Sequence, residues 1–402
     1  MSAGEPPQGA NYAAAGGSAA AKPQAWGDHA NEPLAIAHTE ASMGWGGQEI
    51  RTLTEAAGFI ARGHRAVIYA PPGARITLEA PRFGVPIVTL PIGRKRLAGL
   101  RSLARALADQ PVDIVNAHSS TDAWLAALAC RWLARTHRRA PPLVRTRHVS
   151  IRVNNDPATH WLYRSATARV VTTGDALRAQ LIRDNGLDPA RVDSVPTGID
   201  AARFGPLSRD AARTELHLPP TVPLIGIVAT LRSWKGQRFL VDAMTRLRHR
   251  DARLVIVGDG PQRAALEAQV DALALRERVT FTGQQQDVAP WLAAFDVFAL
   301  PSYANEGVPQ ALVQAMFATI PCVTTDAGAI PEIARHGETA RVVRREDPVQ
   351  LADAIDEILG ERDESACMAA RARAFVTPRY GLPTMLDRME DVFRRALADS
   401  RR

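Results

Sequence analysis

Residues 296–332, DVFALPSYANEGVPQALVQAMFATIPCVTTDAGAIPE, set the fold. The run Val297 to Leu300 is apolar without alternation, which marks a strand covered on both faces, the habit of parallel sheets. It stops at Pro301-Ser302, and a loop then presents Glu306 and Gly307. Pro309 suits a helix's first turn, the helix runs from about Gln310 to Ala318, and a second strand follows at Cys322 to Thr324. A helix N-terminus at a strand's carboxyl end turns free backbone amides toward the space beyond the sheet and attracts phosphate. An acidic side chain there would repel phosphate unless its task is to accept hydrogen bonds from neutral hydroxyls, so Glu306 is expected to hold a sugar. Gln314 lies eight residues further on, which a helical rise of about 1.5 Å per residue converts to about 12 Å, near the span from a hexose to the ribose of a nucleoside diphosphate.

Outward from this segment the same alternation repeats. Before it, Leu224 to Ala229, Arg253 to Val257 and Val279 to Phe281 are short β-branched runs with helical patterns after them. An earlier series has strands at Leu34 to Ala37, Arg65 to Tyr69, Ile87 to Leu90, Asp113 to Ala117 and Leu143 to Arg147. Its helices run from about Gln48 to Arg62, Leu97 to Ala108 and Thr121 to Thr136. Pro-, Gly- and Asp-bearing turns from Val195 to Pro219 separate the two series. At 402 residues and 43.5 kDa the chain is too long for one ordinary core. The expectation is an α/β protein of two doubly wound, Rossmann-like domains facing across a cleft. The predicted boundaries are a disordered tail at 1–33, a first domain at 34–205, a second at 206–378, and a closing helix at 379–402 that crosses back to the first domain. That helix is read from Leu382, Met385, Leu386, Met389, Val392 and Phe393 at helical spacing.

Composition narrows the class. A hydrophobic fraction of 46% and a charged fraction of 23% are globular values, and no apolar run approaches the roughly 18 residues of a spanning helix. The tail is rich in Ala, Gly and Pro with no basic start and apolar core, so it is not read as a signal peptide. Cys130, Cys322 and Cys367 are too few and too scattered for a disulfide framework or a four-ligand zinc site, and they suit a reducing cytoplasm. A net charge of +7 and a pI near 9.8 favour an anionic partner.

The 296–332 segment resembles the donor-binding signature of the retaining glycosyltransferases of family 4, which have the two-domain GT-B fold. It matches that pattern at Glu306, Gly307, Pro309, Leu312, Ala315, Met316, Pro321, Val323, Thr325, Gly328, Pro331 and Glu332, with Gln314 where the family has a second Glu. VPTGID (195–200), VGDGPQRAALE (257–267) and VTFTGQQQDVAPWLAAFDVFALPS (279–302) are similar to family segments in family order. The resemblance implies that Glu306 contacts the donor sugar and that position 314 contacts the nucleotide ribose, which a Gln still does as a hydrogen-bond acceptor. It places Gly307, Val308 and Pro309 in the donor loop. It also implies retention at the anomeric carbon by front-face attack, with the donor's own phosphate oxygen taking the acceptor proton.

Lys235 and Arg232 follow the second domain's first strand and suit the developing charge of a diphosphate leaving group. The family usually carries its Arg earlier, where Ala229 and Thr230 stand here. Gly46 and Gly47 let backbone amides approach a ligand where the first strand meets its helix. His118 ends the Asp113 to Ala117 strand; by resemblance it touches the donor sugar and shapes the reaction centre without acting as a general base. Arg147 and His148 end the next strand, either binding an anionic acceptor or lying as ordinary surface groups.

Twelve basic residues concentrate in the first domain. Arg94, Lys95, Arg96, Arg101 and Arg105 border one helical pattern, and Arg131, Arg135, Arg138, Arg139, Arg145, Arg147 and Arg152 follow with no acid between 131 and 152. The first five form a basic amphipathic helix suited to an anionic membrane surface, or simply the solvated edge of a helix over the sheet. No motif supports nucleic-acid binding. No Asp-x-Asp occurs, so no metal site and no cofactor are expected. The expected partners are a nucleotide-sugar donor and a glycan or glycolipid acceptor, a lipopolysaccharide core or similar, for a cytoplasmic protein peripheral on the membrane's inner face. A soluble sugar phosphate as acceptor, and a non-catalytic nucleotide-sugar-binding protein, are the alternatives.

Overall fold

The computed structural model describes residues 32–136, 140–148, 152–304 and 306–400. The predicted tail falls almost wholly outside them, as do Arg138 and Arg139. Among the described residues, thirteen strands form two sheets, every pairing parallel. The first sheet holds β1 (Ala35–Thr39), β2 (Arg65–Ala70), β3 (Ile87–Thr89), β4 (Ile114–Ala117), β5 (Leu143–Arg147), β6 (Arg169–Thr172) and β7 (Val192–Ser194) in the order 3-2-1-4-5-6-7. The second holds β8 (Leu224–Val228), β9 (Arg253–Val257), β10 (Val279–Gly283), β11 (Val297–Leu300), β12 (Cys322–Thr325) and β13 (Arg341–Val343) in the order 10-9-8-11-12-13. Central strands such as Ile114–Ala117 and Val297–Leu300 are buried at every residue, as their unbroken apolar runs require when helices cover both faces.

The winding direction reverses between β1 and β4 in one sheet and between β8 and β11 in the other. Open α/β sheets bind ligands beyond the carboxyl ends of the strands at such reversals. The residues that follow β1, β4, β8 and β11 are Glu40, His118, the Ala229 to Lys235 loop and the Pro301 to Glu306 loop, so topology alone gathers the predicted site into two facing patches.

The first sheet's last strand ends at Ser194, and Ile199 and Phe204, placed in the first domain by the 205 boundary, pack into the second core with Leu224, Ile225 and Leu254. The last helix, Leu382–Ser400, buries Met385, Leu386, Met389, Val392, Phe393 and Ala396 against Leu34, Ile36, Phe59, Val144 and Val171 of the first domain. The chain therefore crosses between domains twice. The two crossings are bonded side by side, Ile199 N to Tyr380 O at 2.8 Å and Leu382 N to Ile199 O at 2.9 Å.

Candidate active site

In the second domain, the loop after β8 and the loop after β11 meet through an ion pair. Lys235 Nζ donates to Glu306 Oε1 at 2.6 Å, and Ser302 Oγ donates to the same oxygen at 2.6 Å. Glu306 is buried and Lys235 half-buried, so the carboxylate is held by two donors, with Oε2 unengaged among the described residues. Two glycines fix these loops. Gly236 follows Lys235 at φ 73°, where a β-carbon would run into the carbonyl of Pro301; Gly328 has φ 57°, where one would run into the carbonyl of Glu306. Arg232 is exposed and stacks over Trp234, its guanidinium carbon 5.2 Å from the ring centre, apart from the Lys235–Glu306 pair.

The helix after this loop begins at Gln310, with Pro309 as its cap and not in its first turn. Residues 306–309 are loop, so the 12 Å helical spacing from Glu306 to Gln314 does not hold, since the helical rise starts four residues late. Gln314 is buried on the helix, and Val308 in the loop before it is buried too.

In the first domain, His118 sits at the end of β4 at the centre of a chain of three histidines. His38 Nδ1 lies 3.0 Å from His118 Nε2, and His118 Nδ1 lies 3.0 Å from His148 Nε2, with successive rings stacked. Asp122, in the first turn of the following helix, accepts from the His118 amide at 3.0 Å, the Ser119 amide at 3.0 Å, the Ser119 hydroxyl, and Thr39 Oγ1 at 2.8 Å. It pins the strand-end turn that aims His118. His38 Nε2 is buried without a partner, and an orphaned N–H is rarer in folded proteins than an orphaned acceptor. The pattern therefore assigns the proton of His38 to Nδ1, which donates to His118, and the proton of His118 to Nδ1, which donates to His148. Both nitrogens of His118 are engaged. Contact with a donor sugar is left to its ring carbons and backbone, and it has no free lone pair with which to act as a base.

Burial holds all three rings well below the usual imidazole range, His38 at about 3. The folded chain keeps them neutral while the unfolded chain takes up protons as pH falls below about 6.5, so their stabilising contribution is complete above that pH and lost on acidification. Buried Glu40, Glu55 and Asp122, whose carboxyls are raised by burial, act in the opposite sense. Melting curves of the wild type and His38→Asn between pH 7 and 5 isolate the ring: the wild type is expected to lose up to about 1.4 kcal/mol per pH unit more than the variant. Parallel pH profiles would refute the neutral assignment.

The two domains touch at these residues. A methyl on Gly307 would stand 3.1 Å from Thr173 Oγ1 and 3.5 Å from the carbonyl oxygen of His148. Gln310 Nε2 donates to Gly47 O at 2.9 Å, and Glu332 accepts from the amides of Asp175 (3.1 Å) and Ala176 (2.8 Å) at the start of helix Asp175–Asn185. Gly46 and Gly47 thus lie across from the Pro309–Gln310 helix start. Gln48 Nε2 donates to Glu40 Oε2 at 2.6 Å, tying that helix to the end of β1.

A cavity of about 390 Å³ opens beside His118, lined among others by Arg145, Arg147, His148, Arg152 and Tyr163. Arg147 and His148, read either as acceptor-binding or as surface groups, both line this cavity. Sequence reading passed over His38, Glu40, Asp122 and Arg145. Asp122 had a local signal, four residues after His118 in a helix's first turn; His38 had none, because its partner His118 lies 80 residues away, and Arg145 had none, because nothing local in the chain marks it.

Residues 45–203 match the family model described as Glycosyltransferase Family 4, and residues 222–361 the model described as Glycosyl transferases group 1. The D-inositol 3-phosphate glycosyltransferase of Nocardia farcinica is 32% identical over 302 residues, 68% of this chain and 64% of that one. A GDP-mannose-dependent alpha-(1-6)-phosphatidylinositol monomannoside mannosyltransferase of Mycobacterium tuberculosis is 32% identical over 218 residues, 51% of this chain and 56% of that one. The chain spans less than two thirds of the length of these curated relatives. Anabaena Alr3699/HepE, solved in complex with UDP-glucose, superposes with a TM-score of 0.79 at 21% identity over 90% of this chain and 99% of that one, a likeness of fold.

Proposed function

Since the chain belongs to the group 1, family 4 glycosyltransferases, with their GT-B fold, we propose that it moves a sugar from a nucleotide-sugar donor to a hydroxyl of a cell-envelope glycan or glycolipid, with retention at the anomeric carbon. The observation that carries this is the Glu306–Gly307 loop, with Lys235 bonded to Glu306, standing against His148 and Thr173 of the facing domain. The donor diphosphate lies along the second domain. Lys235, with Arg232 and the amides opening helix Gln310–Phe317, takes up its developing charge as the glycosidic bond breaks. Glu306 accepts from sugar hydroxyls, and Gln314 from the ribose. The acceptor lies in the first domain near His118, Arg147 and His148, and its hydroxyl attacks from the face the leaving group departs. A phosphate oxygen of that group takes the proton. The names of the relatives, which include a glycolipid mannosyltransferase, support an acceptor of cell-envelope type, a lipopolysaccharide core among them.

The test is nucleoside diphosphate release from a panel of nucleotide sugars with envelope lipid extracts, followed by the anomeric configuration of the product. Lys235 and the helix amides fill the role a divalent ion has elsewhere, so full activity is expected after exhaustive chelation; a strict metal requirement would overturn that part. Tight donor binding with no turnover under any acceptor would leave a nucleotide-sugar-binding protein instead.

The acceptor side also suits a membrane surface. Arg94, Lys95, Arg96, Arg101 and Arg105 are exposed around Leu97, itself 68% exposed, and none has an acidic partner among the described residues. No described helix is long and apolar enough to cross a membrane. At about 1 kcal/mol per basic residue near an anionic surface, replacing all five with alanine is expected to weaken binding to anionic vesicles by at least about a hundredfold at low salt. Binding indifferent to salt and to these changes would remove the membrane from the proposal.

A further inference from the structure

The cavity beside His118 contains a charge left unanswered among the described residues. Arg145 lies on β5 and is 4% exposed. Among the described residues it donates no hydrogen bond and has no carboxylate within ion-pair distance. Its guanidinium lies over the ring of Tyr163, with the ring centre 4.3 Å from the guanidinium carbon. Arg147, two residues on along the same strand face, donates to Tyr163 Oη at 2.7 Å, and Arg152 borders the same space. The acid that acts on Arg145 is Asp122, and its oxygens are already taken by His118, Ser119 and Thr39. A guanidinium stays protonated at any working pH, so burying one with no partner, beside a second of the same sign, works against folding. Other buried arginines here are answered: Arg51 by Glu55 and Arg213 by Asp296.

We propose that Arg145, with Arg147 and Arg152, is an anion site that binds a phosphate group of the acceptor and so places the neighbouring hydroxyl at the reaction centre. This rests on the glycosyltransferase proposal for the word acceptor, while the anion site itself rests on the cavity alone. A planar guanidinium lining the pocket gives two parallel donors to a phosphate, and Arg147, His148 and Asn154 in the same lining add further polar groups. The cavity's size fits a monosaccharide or polyol carrying the phosphate. Asn116 and Thr146 bond to each other at 2.9 Å on the opposite face of the strands, which holds β5 in the register that keeps Arg145 and Arg147 on the cavity side.

The test uses the full chain and three probes: inorganic phosphate, a soluble hexose phosphate, and a short-chain phosphatidyl polyol below its micelle concentration, each titrated calorimetrically. Arg145→Gln is expected to weaken all probes that bind by at least about tenfold, the scale of one charge-assisted hydrogen bond, and to raise the ligand-free melting temperature, since it removes an unanswered buried charge. A merely structural arginine would lower that temperature. Binding of the soluble phosphate alone identifies a soluble acceptor, and binding of both organic probes identifies the headgroup; either supports the site. Phosphate binding that survives Arg145→Gln but is lost in Lys235→Gln would place the anion at the donor diphosphate site and overturn the proposal, as would no binding at all. Donor hydrolysis by the unaltered chain is read separately, so a failed transferase assignment is distinguishable from a failed anion site.

Discussion

Glu306→Ala is expected to lower sugar transfer by about a thousandfold, mostly in kcat, the upper range for removing one preorganised group at a centre of developing charge. On the proposed reading the side chain has two duties: it accepts from the sugar, and through its 2.6 Å bond to Lys235 Nζ it orients the ammonium toward the diphosphate. Alanine ends both, and it leaves Ser302 Oγ without its acceptor as well. Glu306→Gln keeps an acceptor for the sugar but loses the charge that orients Lys235, so it should fall between. Lys235→Ala should match the alanine variant, and the double variant should cost little more than either single change because the two act as one unit. Steady-state rates at saturating donor decide the matter. Independent, multiplying losses would mean that the pair seen in the structure is not the working arrangement.

The second large effect is on folding. Arg51 and Glu55 are fully buried one helical turn apart, with Arg51 Nε 3.4 Å from Glu55 Oε2. Arg51 also donates to Val195 O at 2.6 Å, and Asn116 Nδ2 donates to Glu55 Oε1 at 3.1 Å. Burial pushes the Glu55 carboxyl above the usual range against the pull of Arg51, so the two charges are sustained only by each other and by their hydrogen bonds. Glu55→Ala leaves a permanent cation in the core, at about 3–5 kcal/mol. For a domain of this size that lowers the melting midpoint by about 10 °C. Arg51→Met with Glu55→Leu fills the space without charge and should recover most of the loss. If the double variant melts as low as Glu55→Ala, it is the hydrogen bonds to Val195 and Asn116, and not the stranded charge, that carry the cost.

What the chain disclosed in advance follows the range of the interactions. Glu306, Lys235 and His118 end or follow strongly apolar strands, so local pattern placed them at the sheet edge, and the resemblance supplied roles. The strands Arg169–Thr172, Val192–Ser194 and Arg341–Val343 went unread, being short, and each carries a charged residue that pairs elsewhere: Arg169 and Asp193 with each other, and Arg341 with Glu357. The three-histidine chain joins positions 80 and 30 residues apart, a distance no periodicity reports. Arg145 was visible only as one of many arginines. Its lack of a carboxylate partner among the described residues is a property of the packed cavity, visible only in the fold.

The helix Leu382–Ser400 has a bearing on engineering. By sequence order it belongs to the second domain, yet it completes the hydrophobic core of the first, closing over Leu34, Ile36, Phe59, Val144 and Val171. Anyone exchanging the second domain of this scaffold should therefore replace residues from about the first crossing to the second and keep the parent's final helix. A chimera cut once, after Ser194, would import a foreign helix onto a core it was not shaped for, and the graft would be lost to aggregation before its specificity could be measured.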